Sequence, residues 1–458
     1  MSKAMTLEKS HIDTPEKRIA YTVSVVGCRR MGLPHACLFA EAGFKVIGVD
    51  SNRRVVGLIK RGRASFAEPR LSALLKKHVK NGRLRATSDA KKAASTSDVI
   101  VFVVQTPIDR KKKPNYFRLE KACKDVGMGL RSRSLVIFAG AMGPGVTETL
   151  MKETLESASG LKAGVDFGLA YSPIHAAPGR VLQDIANCSR AVGALSKQGL
   201  KATCLFLRTI VKGQMIKVRD IKTAEAVKLF ENVYRDVNIA LANEFAHFCE
   251  KAGIDFVEAQ KAANTQPKCH LFTAKIVGSH VSRDSYLLLD EADAVDIKLP
   301  MLTLARKIND KMLGHTLHLV RDALKSCGKT MRRAKISVFG VSCHPNIKEP
   351  RGSSTKKLVS MLNKKGALVK VYDPLFSHKE LIRMGYSAER TLTQTVEGVD
   401  CLVIAIGHDR FRRLNLSRIK FLVKKPAAIV DMGQVISPKK AEREGFVYRG
   451  VGRGVGTK

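Results

Sequence analysis

The stretch that decides the fold of this chain runs from Thr223 to Lys268 and reads TAEAVKLFENVYRDVNIALANEFAHFCEKAGIDFVEAQKAANTQPK. Its apolar residues recur at steps of three and four, which predicts a long helix with one buried face. These residues are Val227, Phe230, Tyr234, Val237, Leu241, Phe245 and Phe248. Thr223 is the expected N-cap, Glu225 places negative charge in the first turn, and Gly253 is expected to end the helix. About 28 residues at 1.5 Å each extend roughly 42 Å, so this helix can cross a whole domain.

A second face of the same helix carries a row of polar donors. Lys228, Asn232 and Arg235 are spaced at i, i+4 and i+7, so a cation, an amide and a guanidinium share one side. The residues alone leave two interpretations open. The row is either a solvated face or a set of donors directed at an anionic or oxygen-rich substrate.

Composition places the chain among ordinary globular proteins. Of its 458 residues, 45% are hydrophobic and 26% are charged, so two or three domains with sizeable cores are expected. The longest apolar runs, at 98–104 and 135–142, are too short to span a membrane, and the polar N-terminus lacks the apolar segment of a signal peptide. The ten cysteines are scattered without a CxxC pair or a metal-like cluster. They predict free thiols, no metal site and a cytoplasmic location.

The formal net charge of +39 is extreme and raises the question of a polyanionic partner. The basic residues are spread over the whole length, and the longest basic run is only Arg110–Lys113. Aromatic residues make up 6% of the chain, so the interleaved basic and aromatic pattern of single-strand binders is missing. We therefore do not expect nucleic acid as a partner, and a general surface bias of the host's proteins is the favoured explanation.

The N-terminal part reads as a βαβ unit. A short apolar strand at 21–26 runs into the turn Gly27–Gly32, and a helix and a second strand then lead to Asp50. Strands continue to alternate with helical patterns, first at 98–104, 134–139 and 166–171, and again at 335–339, 367–372, 400–406 and 427–431. Between these two series, a strand-helix-strand passage at 190–218 leads to the central helix. This alternation predicts an α/β fold of two Rossmann-like, doubly wound parallel-sheet domains joined by the long central helix.

The first glycine turn is a weak dinucleotide fingerprint when taken alone. Gly27 can form the tight turn and Gly32 can allow close helix packing, but Arg29 replaces the middle glycine that lets the backbone approach the pyrophosphate. Asp50 suits the adenosine ribose and favours NAD over NADP, although Arg53 and Arg54 blur that preference. A βαβ turn that binds nothing is the alternative. Two further turns, at 105–107 and 143–145, either line the cofactor groove or are ordinary loop punctuation.

The ordered motifs resemble one known family. They are the central stretch TAEAVKLFENVYRDVNIALANEFA, GLP at 32–34, VIGVDSN at 46–52, TP at 106–107, PG at 178–179, PRGSS at 350–354 and GVGRG at 450–454. Over about residues 22 to 454 the chain resembles the UDP-glucose/GDP-mannose dehydrogenase family, and it looks most like the UDP-N-acetylmannosamine dehydrogenase branch. The resemblance implies a flexible tail at 1–20, an NAD-binding Rossmann domain at 21–215, a central helical dimerisation domain at 216–330 and a UDP-sugar-binding Rossmann-like domain at 331–458.

The resemblance also implies a chemistry. The family oxidises the C6 hydroxyl of a nucleotide sugar to a carboxylate with two NAD molecules, through a cysteine thiohemiacetal and a thioester. By resemblance, Lys228 and Asn232 stabilise oxyanion charge and also contact the substrate. Further substrate contacts are expected from Arg235, Lys268, Gly278 and Arg351, the last reaching into a neighbouring subunit. Cofactor contacts are expected from Gly27, Arg30, Met31, Gly32, Asp50 and Thr106. The expected assembly is a homodimer through the central helix.

The chain departs from the family where the chemistry is concentrated. The family's GGHCxxxDP motif corresponds to Gly278–Ser285, one residue shorter, with Asp284 at the catalytic aspartate and Val281 at the nucleophile. Valine forms no thiohemiacetal, and the spacing of Cys269 does not suggest that it substitutes.

Smaller departures fall in other motifs of the same kind. Pro173-Ile174-His175 replaces Pro-Glu-Arg, His344 replaces a lysine, Gly140 and Ala141 replace hydroxyl residues, and Arg30 and Met31 replace tyrosine and an aliphatic residue. We expect a nucleotide-sugar 6-dehydrogenase of the UDP-N-acetylmannosamine type whose full four-electron activity is in doubt. The alternative is a catalytically inactive nucleotide-sugar-binding or scaffold homologue.

Overall fold

The computed structural model describes residues 7–453, which divide into two compact units. The first unit contains the residues up to Asn232 together with Tyr286–Lys298. The second contains Val233–Ser285 and the residues from Leu299 onward. Each unit is built on its own parallel sheet, and the long helix contributes residues to both.

The strands of the described residues are β1 Thr22–Val26, β2 Lys45–Val49, β3 Leu84–Thr87, β4 Val99–Phe102, β5 Leu135–Phe138, β6 Gly168–Tyr171, β7 Arg190–Ala194, β8 Met215–Lys217, β9 Lys335–Phe339, β10 Leu368–Tyr372, β11 Cys401–Ile404, β12 Ala427–Asp431 and β13 Phe446–Gly450.

The α-helices are α1 Lys9–Ile12, α2 Pro15–Arg18, α3 Gly32–Glu41, α4 Arg53–Lys60, α5 Leu71–Lys80, α6 Ala90–Ala94, α7 Phe117–Gly127, α8 Lys152–Ser159, α9 Val181–Asn187, α10 Lys197–Leu207, α11 Ile221–Ala252, α12 Phe256–Ala263, α13 Ser279–Ala294, α14 Pro300–Ser326, α15 Thr355–Lys364, α16 His378–Arg383, α17 Leu392–Val396, α18 Asp409–Arg412, α19 Leu416–Ile419 and α20 Pro438–Arg443. A π-helical turn, Thr147–Met151, precedes α8. Among the described residues, every helix falls short of the length and apolar content that crossing a bilayer requires.

The sheet of the first unit has the order β3-β2-β1-β4-β5-β6-β7-β8. Its pairings are parallel except for the antiparallel contact between β6 and β7. The central strands are buried along their whole length, which explains their continuous apolar sequences. Two separate hydrophobic clusters cover the sheet, one containing α3 and α10 and the other α7 and α8, so the sheet is doubly wound as predicted.

The sheet of the second unit has the order β10-β9-β11-β12-β13 and is parallel throughout. Its first turn repeats that of the first unit. Gly27 and Gly340 both have φ +96, and their amides donate to the last carbonyl of the following strand, Val49 and Tyr372, at 2.8 Å in each case. The predicted pair of Rossmann-like domains is confirmed.

The long helix α11 ends as predicted but begins earlier. Gly253, with φ +72, follows its last residue. At the other end, Asp220 accepts a hydrogen bond from the amide of Thr223 at 2.7 Å. Thr223 therefore lies inside the first turn, and Asp220 performs the capping role that the sequence assigned to Thr223.

The buried face of α11 differs from the predicted one. The side chains of Phe230, Tyr234 and Phe248 are 59%, 58% and 65% exposed within the chain, and Leu241 and Phe245 are exposed as well. The buried stripe instead contains Ala224, Glu225, Leu229, Asn232, Asp236, Ile239, Asn243 and Ala246. The spacing of apolar residues identified the helix correctly but assigned the aromatic stripe to the interior. Such spacing shows which residues are apolar, and it does not show which other elements pack against each face of the helix.

The beginning of the described chain also differs from the prediction of a flexible tail. Leu7 and Ile12 are buried in a core cluster of the first unit. The guanidinium of Arg18 donates to the carbonyl oxygens of Ile12 and Ala42 at 2.6 and 3.0 Å. Leu7, Ile12 and Arg18 thus attach this otherwise largely exposed segment to the domain, and the first six residues of the predicted tail lie outside the described residues.

Candidate functional site

The glycine turn of the first unit has the shape of a phosphate cradle. Gly27 adopts a positive φ, and a Cβ atom there would lie 2.8 Å from the carbonyl oxygen of Val103. A Cβ atom on Gly32, the first residue of α3, would lie 2.0 Å from the carbonyl oxygen of Gly27. Both positions therefore require glycine, which leaves the start of α3 open to an anion.

Asp50 lies directly after β2, where the sequence placed it. It is 5% exposed, and its Oδ1 accepts a hydrogen bond from the amide of Asn52 at 2.9 Å. Its Oδ2 lies 3.9 Å from Nε of Arg29, the residue that replaces the middle glycine. Arg29 thus extends toward the carboxylate that would receive the ribose hydroxyls.

The other predicted cofactor residues, Arg30, Met31 and Thr106, each contact a different part of the first unit. Arg30 places its guanidinium carbon 5.1 Å from the ring centre of Phe66, and Met31 packs against the core of the first unit. Thr106, four residues after the end of β4, is 1% exposed, and its hydroxyl has no hydrogen-bond partner among the described residues. A buried hydroxyl in that state is suited to a ligand. The cradle, the carboxylate and this hydroxyl together fit a dinucleotide.

Glu225 has a role that the sequence did not reveal. Its carboxylate accepts hydrogen bonds from the amides of Gly145 and Thr147 at 2.5 and 3.0 Å and from the Thr147 hydroxyl at 2.6 Å. It therefore joins α11 to the Gly-Pro-Gly turn at 143–145. Burial raises the pKa of Glu225 to about 7, against the opposing effect of these hydrogen bonds.

Two positions of the first unit at which the sequence departs from the family pattern, Gly140 and His175, contact neighbouring groups. A Cβ atom on Gly140 would lie 2.4 Å from the carbonyl oxygen of Val104, so a side chain is excluded there in the present backbone. His175, in the sequence that replaces Pro-Glu-Arg, places its Nδ1 2.8 Å from a carboxylate oxygen of Glu231 on α11. The imidazole is thereby held against the helix one turn from Lys228.

The donor row of α11 is divided between the two units. Lys228 is half-buried and Asn232 is 6% exposed, and both belong to the first unit. Arg235 is exposed and belongs to the second unit. There it lines a cavity of about 430 Å³ together with His270 and Lys275. Three basic side chains around one cavity are suited to an anionic ligand.

The segment Gly278–Ser285, which the sequence predicted to match the family's cysteine motif, leads into the start of α13. Val281 is 3% exposed and apolar. Asp284 is 1% exposed and accepts hydrogen bonds from Nε and Nη2 of Arg283 at 2.8 and 2.6 Å. Gly278 precedes the helix and would hold a Cβ atom 3.4 Å from the ring of His280. The motif is therefore ordered, but its central side chain offers no reactive atom.

A buried polar network supports this motif. Asp236 on α11 accepts a hydrogen bond from the hydroxyl of Ser285 at 2.6 Å and from Nη1 of Arg306 at 2.7 and 2.9 Å. The amide of Asn309 donates to the carboxylate and the backbone carbonyl of Asp236, and Asn243 bonds Asn309 in turn. Through these bonds α11, α13 and α14 hold one another in fixed register.

The sequence contained a signal for this network that we did not use. Glu225, Asn232, Asp236 and Asn243 are separated by seven, four and seven residues, so they share one helical face. When the opposite face of a helix is aromatic, a polar stripe of this kind either faces solvent or hydrogen-bonds to polar groups buried in the interior. Because those partners lie far away in the sequence, the spacing alone cannot distinguish the two.

The two remaining predicted substrate residues are both in the second unit. Lys268 is exposed in the turn after α12. Arg351 is 55% exposed and forms a bidentate pair with the buried carboxylate of Glu349, at 3.0 and 3.1 Å. The loop of Arg351 contacts the start of α13, because a Cβ atom on Gly352 would lie 2.7 Å from the hydroxyl oxygen of Ser279. The structure thus brings the Arg351 and Gly278 motifs together, whereas Lys268 stands apart in its turn.

Comparison with known proteins finds one family whose three domain models match consecutive parts of the chain. The NAD-binding, central and UDP-binding domain models of the UDP-glucose/GDP-mannose dehydrogenase family match residues 21–208, 222–311 and 337–438. The chain is 33% identical over 434 residues to a UDP-N-acetyl-D-mannosamine dehydrogenase of Pyrococcus horikoshii, covering 94% of this chain and 99% of that one. It is 30% identical over 410 residues to an NDP-N-acetyl-D-galactosaminuronic acid dehydrogenase of Ralstonia solanacearum, covering 87% and 93%.

Solved structures agree with these sequence matches. The structure of the Pyrococcus horikoshii UDP-D-ManNAc dehydrogenase superimposes with a TM-score of 0.86 at 32% identity, covering 94% of this chain and 99% of that one. An NDP-N-acetyl-D-galactosaminuronic acid dehydrogenase from Methanosarcina mazei superimposes with a TM-score of 0.81 at 29% identity, covering 96% and 98%. The chain belongs to the UDP-glucose/GDP-mannose dehydrogenase family and carries that family's NAD-binding domain.

Proposed function

We propose that this protein binds NAD and a UDP-sugar of the N-acetylmannosamine type and oxidises the C6 hydroxyl only to the aldehyde. The observation that carries the proposal is Val281, which is buried and apolar at the position of the family's cysteine. A thioester route needs a thiolate that adds to the aldehyde carbon. The isopropyl group of valine has no lone pair, so the second oxidation has no covalent path at this position.

The first oxidation needs no nucleophile. The CH–OH group loses one hydride and one proton and becomes an aldehyde, and bound NAD supplies the hydride acceptor. In our proposal, the ammonium group of Lys228 and the amide of Asn232 donate hydrogen bonds to the oxygen on which negative charge develops. Asp284, Lys268, Gly278, Arg235 and Arg351 keep the roles that the family resemblance gives them. The basic cavity beside Arg235 supports binding of the diphosphate in the second unit.

The stoichiometry of NADH tests the proposal. The purified protein is incubated with UDP-N-acetylmannosamine and excess NAD, and the NADH formed for each sugar is counted without a trap. A parallel reaction contains hydroxylamine, which captures an aldehyde as its oxime for mass spectrometry. We expect one NADH for each sugar consumed and a mass corresponding to the trapped aldehyde. Two NADH for each sugar, together with a uronate product, would overturn the proposal, because the second oxidation would then have taken place.

A second candidate function is binding without turnover, as a regulatory or scaffold homologue. The observation that favours it is Arg29, which approaches Asp50 to 3.9 Å and competes with a ribose for that carboxylate. Calorimetry with NAD separates the two candidates. Saturable binding of one NAD per chain supports the enzyme, whereas UDP-sugar binding without NAD binding supports the scaffold. An Arg29→Gly variant that gains NAD affinity would identify Arg29 as the obstacle.

We also infer a homodimer through the central helix, in the cytoplasm. The exposed aromatic stripe of α11, from Phe230 to Phe248, is a large apolar face for a single chain, and it continues along one helix. All ten cysteines are free thiols, which suits a reducing compartment. We propose further that the functional divisions are an NAD-binding part at 21–215, a central part at 216–330 and a UDP-sugar-binding part at 331–458.

A further inference from the structure

Two histidines and a glutamate of the second unit converge away from the residues discussed above. His247 and Glu250 are one turn apart on α11, and His315 comes from α14. Their ligand atoms, two imidazole nitrogens and a carboxylate oxygen, all lie within 4.8 Å of one another. Nε2 of His315 is 3.0 Å from both carboxylate oxygens of Glu250, and the two imidazole rings have centres 5.0 Å apart.

The surroundings of Glu250 orient its carboxylate. Oε1 accepts a hydrogen bond from the amide of Gly452 at 2.8 Å, which fixes the carboxylate with both of its oxygens 3.0 Å from Nε2 of His315. The side chains of Glu250 and His315 are 11% and 15% exposed, while His247 is exposed. The cluster thus has a held carboxylate, a shielded imidazole and one solvent-facing imidazole. A metal with three protein ligands and a water needs this combination of fixed and open positions.

The donor set favours one class of cation. Two imidazole nitrogens and one carboxylate oxygen suit Zn²⁺ and its neighbours among the divalent transition metals, whereas Mg²⁺ and Ca²⁺ prefer all-oxygen sites. In tetrahedral coordination, ligand atoms about 2.05 Å from zinc are roughly 3.3 Å from one another. The 3.0 Å separation of His315 and Glu250 is already close to this value, so only His247 needs to move inward by a rotation of its side chain.

We propose that His247, Glu250 and His315 form a zinc site with a water as the fourth ligand. Zinc takes the place of the proton on Nε2 of His315, and the neutral imidazole then carries its one proton on Nδ1. The ion then joins α11 to α14 and, through Gly452, to the C-terminal segment that accepts the amide of Phe256 at 2.8 Å. The sequence predicted no metal site, since His315 is 65 residues from Glu250 and nothing in the spacing relates them.

Zinc titration of the full chain tests the site. The protein is first dialysed against a chelator and then titrated with ZnCl₂ in a calorimeter and in a thermal unfolding assay. We expect saturable binding of one zinc per chain and a rise in the unfolding temperature. His247→Gln, whose side chain is exposed and does not endanger the fold, should bind zinc at least about tenfold more weakly. His315→Gln should do the same, and His318→Gln, an exposed histidine one turn further on α14, should bind as the unaltered chain does.

Cobalt distinguishes this site from the free cysteines. Co²⁺ bound by nitrogen and oxygen gives visible d–d bands without a thiolate charge-transfer band, and we expect that spectrum to disappear in His247→Gln. Three outcomes would each overturn the proposal. They are the absence of saturable zinc binding, binding of equal affinity in both histidine variants and the unaltered chain, and a thiolate charge-transfer band from the bound cobalt.

Discussion

The buried Val281 occupies, by resemblance, the position of the family's nucleophilic cysteine. It lies in the first turn of α13, and Asp284, three residues later, is held by Arg283. Within this motif the aspartate is retained and buried, whereas the side chain at 281 offers no reactive atom. At the scale of a single residue, the chemistry at position 281 depends on the atoms of the side chain, since valine and cysteine have the same backbone.

Restoring the thiol should restore the second oxidation. Cysteine is smaller than valine and is readily buried, so Val281→Cys should fold with a loss of about 1 kcal/mol or less. We expect the NADH yield to rise from one to two per sugar and uronate to appear by mass spectrometry. Val281→Ala is the matched control, because it removes volume without adding a thiol, and its yield should stay at one. An unchanged yield in Val281→Cys would show that another feature blocks the second step.

Glu225 predicts a particular dependence of stability on pH. Burial raises its pKa in the folded chain to about 7 from an ordinary value of 4.5. A raised carboxyl pKa stabilises the fold fully below the unfolded value, and this contribution is lost as the pH rises through the folded value. From pH 4.5 to above 7 the loss amounts to about 3 kcal/mol at most, at 1.36 kcal/mol per unit.

Denaturant unfolding at several pH values measures this contribution. In Glu225→Gln the decline of unfolding free energy between about pH 5 and pH 8 should be flatter, because the amide does not titrate. The absolute stability should be lower at pH 5, since an amide nitrogen cannot accept from Gly145 or Thr147. Glu153→Gln, an exposed carboxylate on α8, should keep the slope of the unaltered chain. Equal slopes in Glu225→Gln and the unaltered chain would contradict this assignment.

At the scale of elements, the packing of α11, α13 and α14 depends on charged groups in the interior. Asp236 and Arg306 are 0% and 4% exposed, and they are joined to Ser285 and Asn309. Removing one member of such a pair leaves the other charge buried and uncompensated. The network therefore makes the three helices interdependent within the second unit.

Removing only the Arg306 cation should lower the free energy of unfolding, and removing the charge of Asp236 as well should restore part of it. Arg306→Met alone should destabilise the protein by about 3–5 kcal/mol, because the Asp236 carboxylate loses its cation. Asp236→Asn combined with Arg306→Met should recover much of that loss, since the charge is removed with its partner. Unfolding in urea measures both variants. Ser285→Ala is the milder comparison and should cost roughly 1–3 kcal/mol, and additive losses in the double variant would contradict a coupled pair.

At the scale of the whole molecule, the exposed aromatic stripe of α11 is the feature that a single chain leaves unexplained. Helices of monomeric proteins direct such residues inward, yet here the interior is filled by the polar stripe and its partners. Burying this face against a second copy would satisfy it and would place two α11 helices side by side. The inferred dimer thus accounts for the same periodicity that misled the assignment of the buried face.

A charge on the stripe should dissociate the dimer. Tyr234→Asp and Phe248→Asp each place a carboxylate within the inferred interface, where it would be desolvated. We expect sedimentation and light scattering to report twice the chain mass for the unaltered protein and the chain mass for the variants. Phe421→Asp, at a residue 76% exposed elsewhere on the second unit, should remain dimeric. A monomeric unaltered protein at micromolar concentration would remove the inference.

The fold was largely predictable from the chain, and the site only in part. Strand and helix alternation, the glycine at 27 and Asp50 at the end of β2 are local patterns, so they identified both sheets and the first turn correctly. The capping by Asp220, the buried face of α11 and the contact of Glu225 with the 143–145 turn were missed. Each depends on a partner that another element supplies, and hydrophobic periodicity carries no information about partners.

The sequence by itself determined the α/β class, the two Rossmann-like sheets, the family and the absence of a thiol at Val281. These follow from residue identity and from spacing within single elements. Only the tertiary structure decided which face of α11 is buried, because Asp236 is acceptable in the interior only when Arg306, Asn309 and Ser285 surround it. The same reason applies to Glu225 and to the His247, Glu250 and His315 cluster. Whether a polar group can be buried depends on the hydrogen-bond and charge partners around it in the folded chain, and folding brings these partners together.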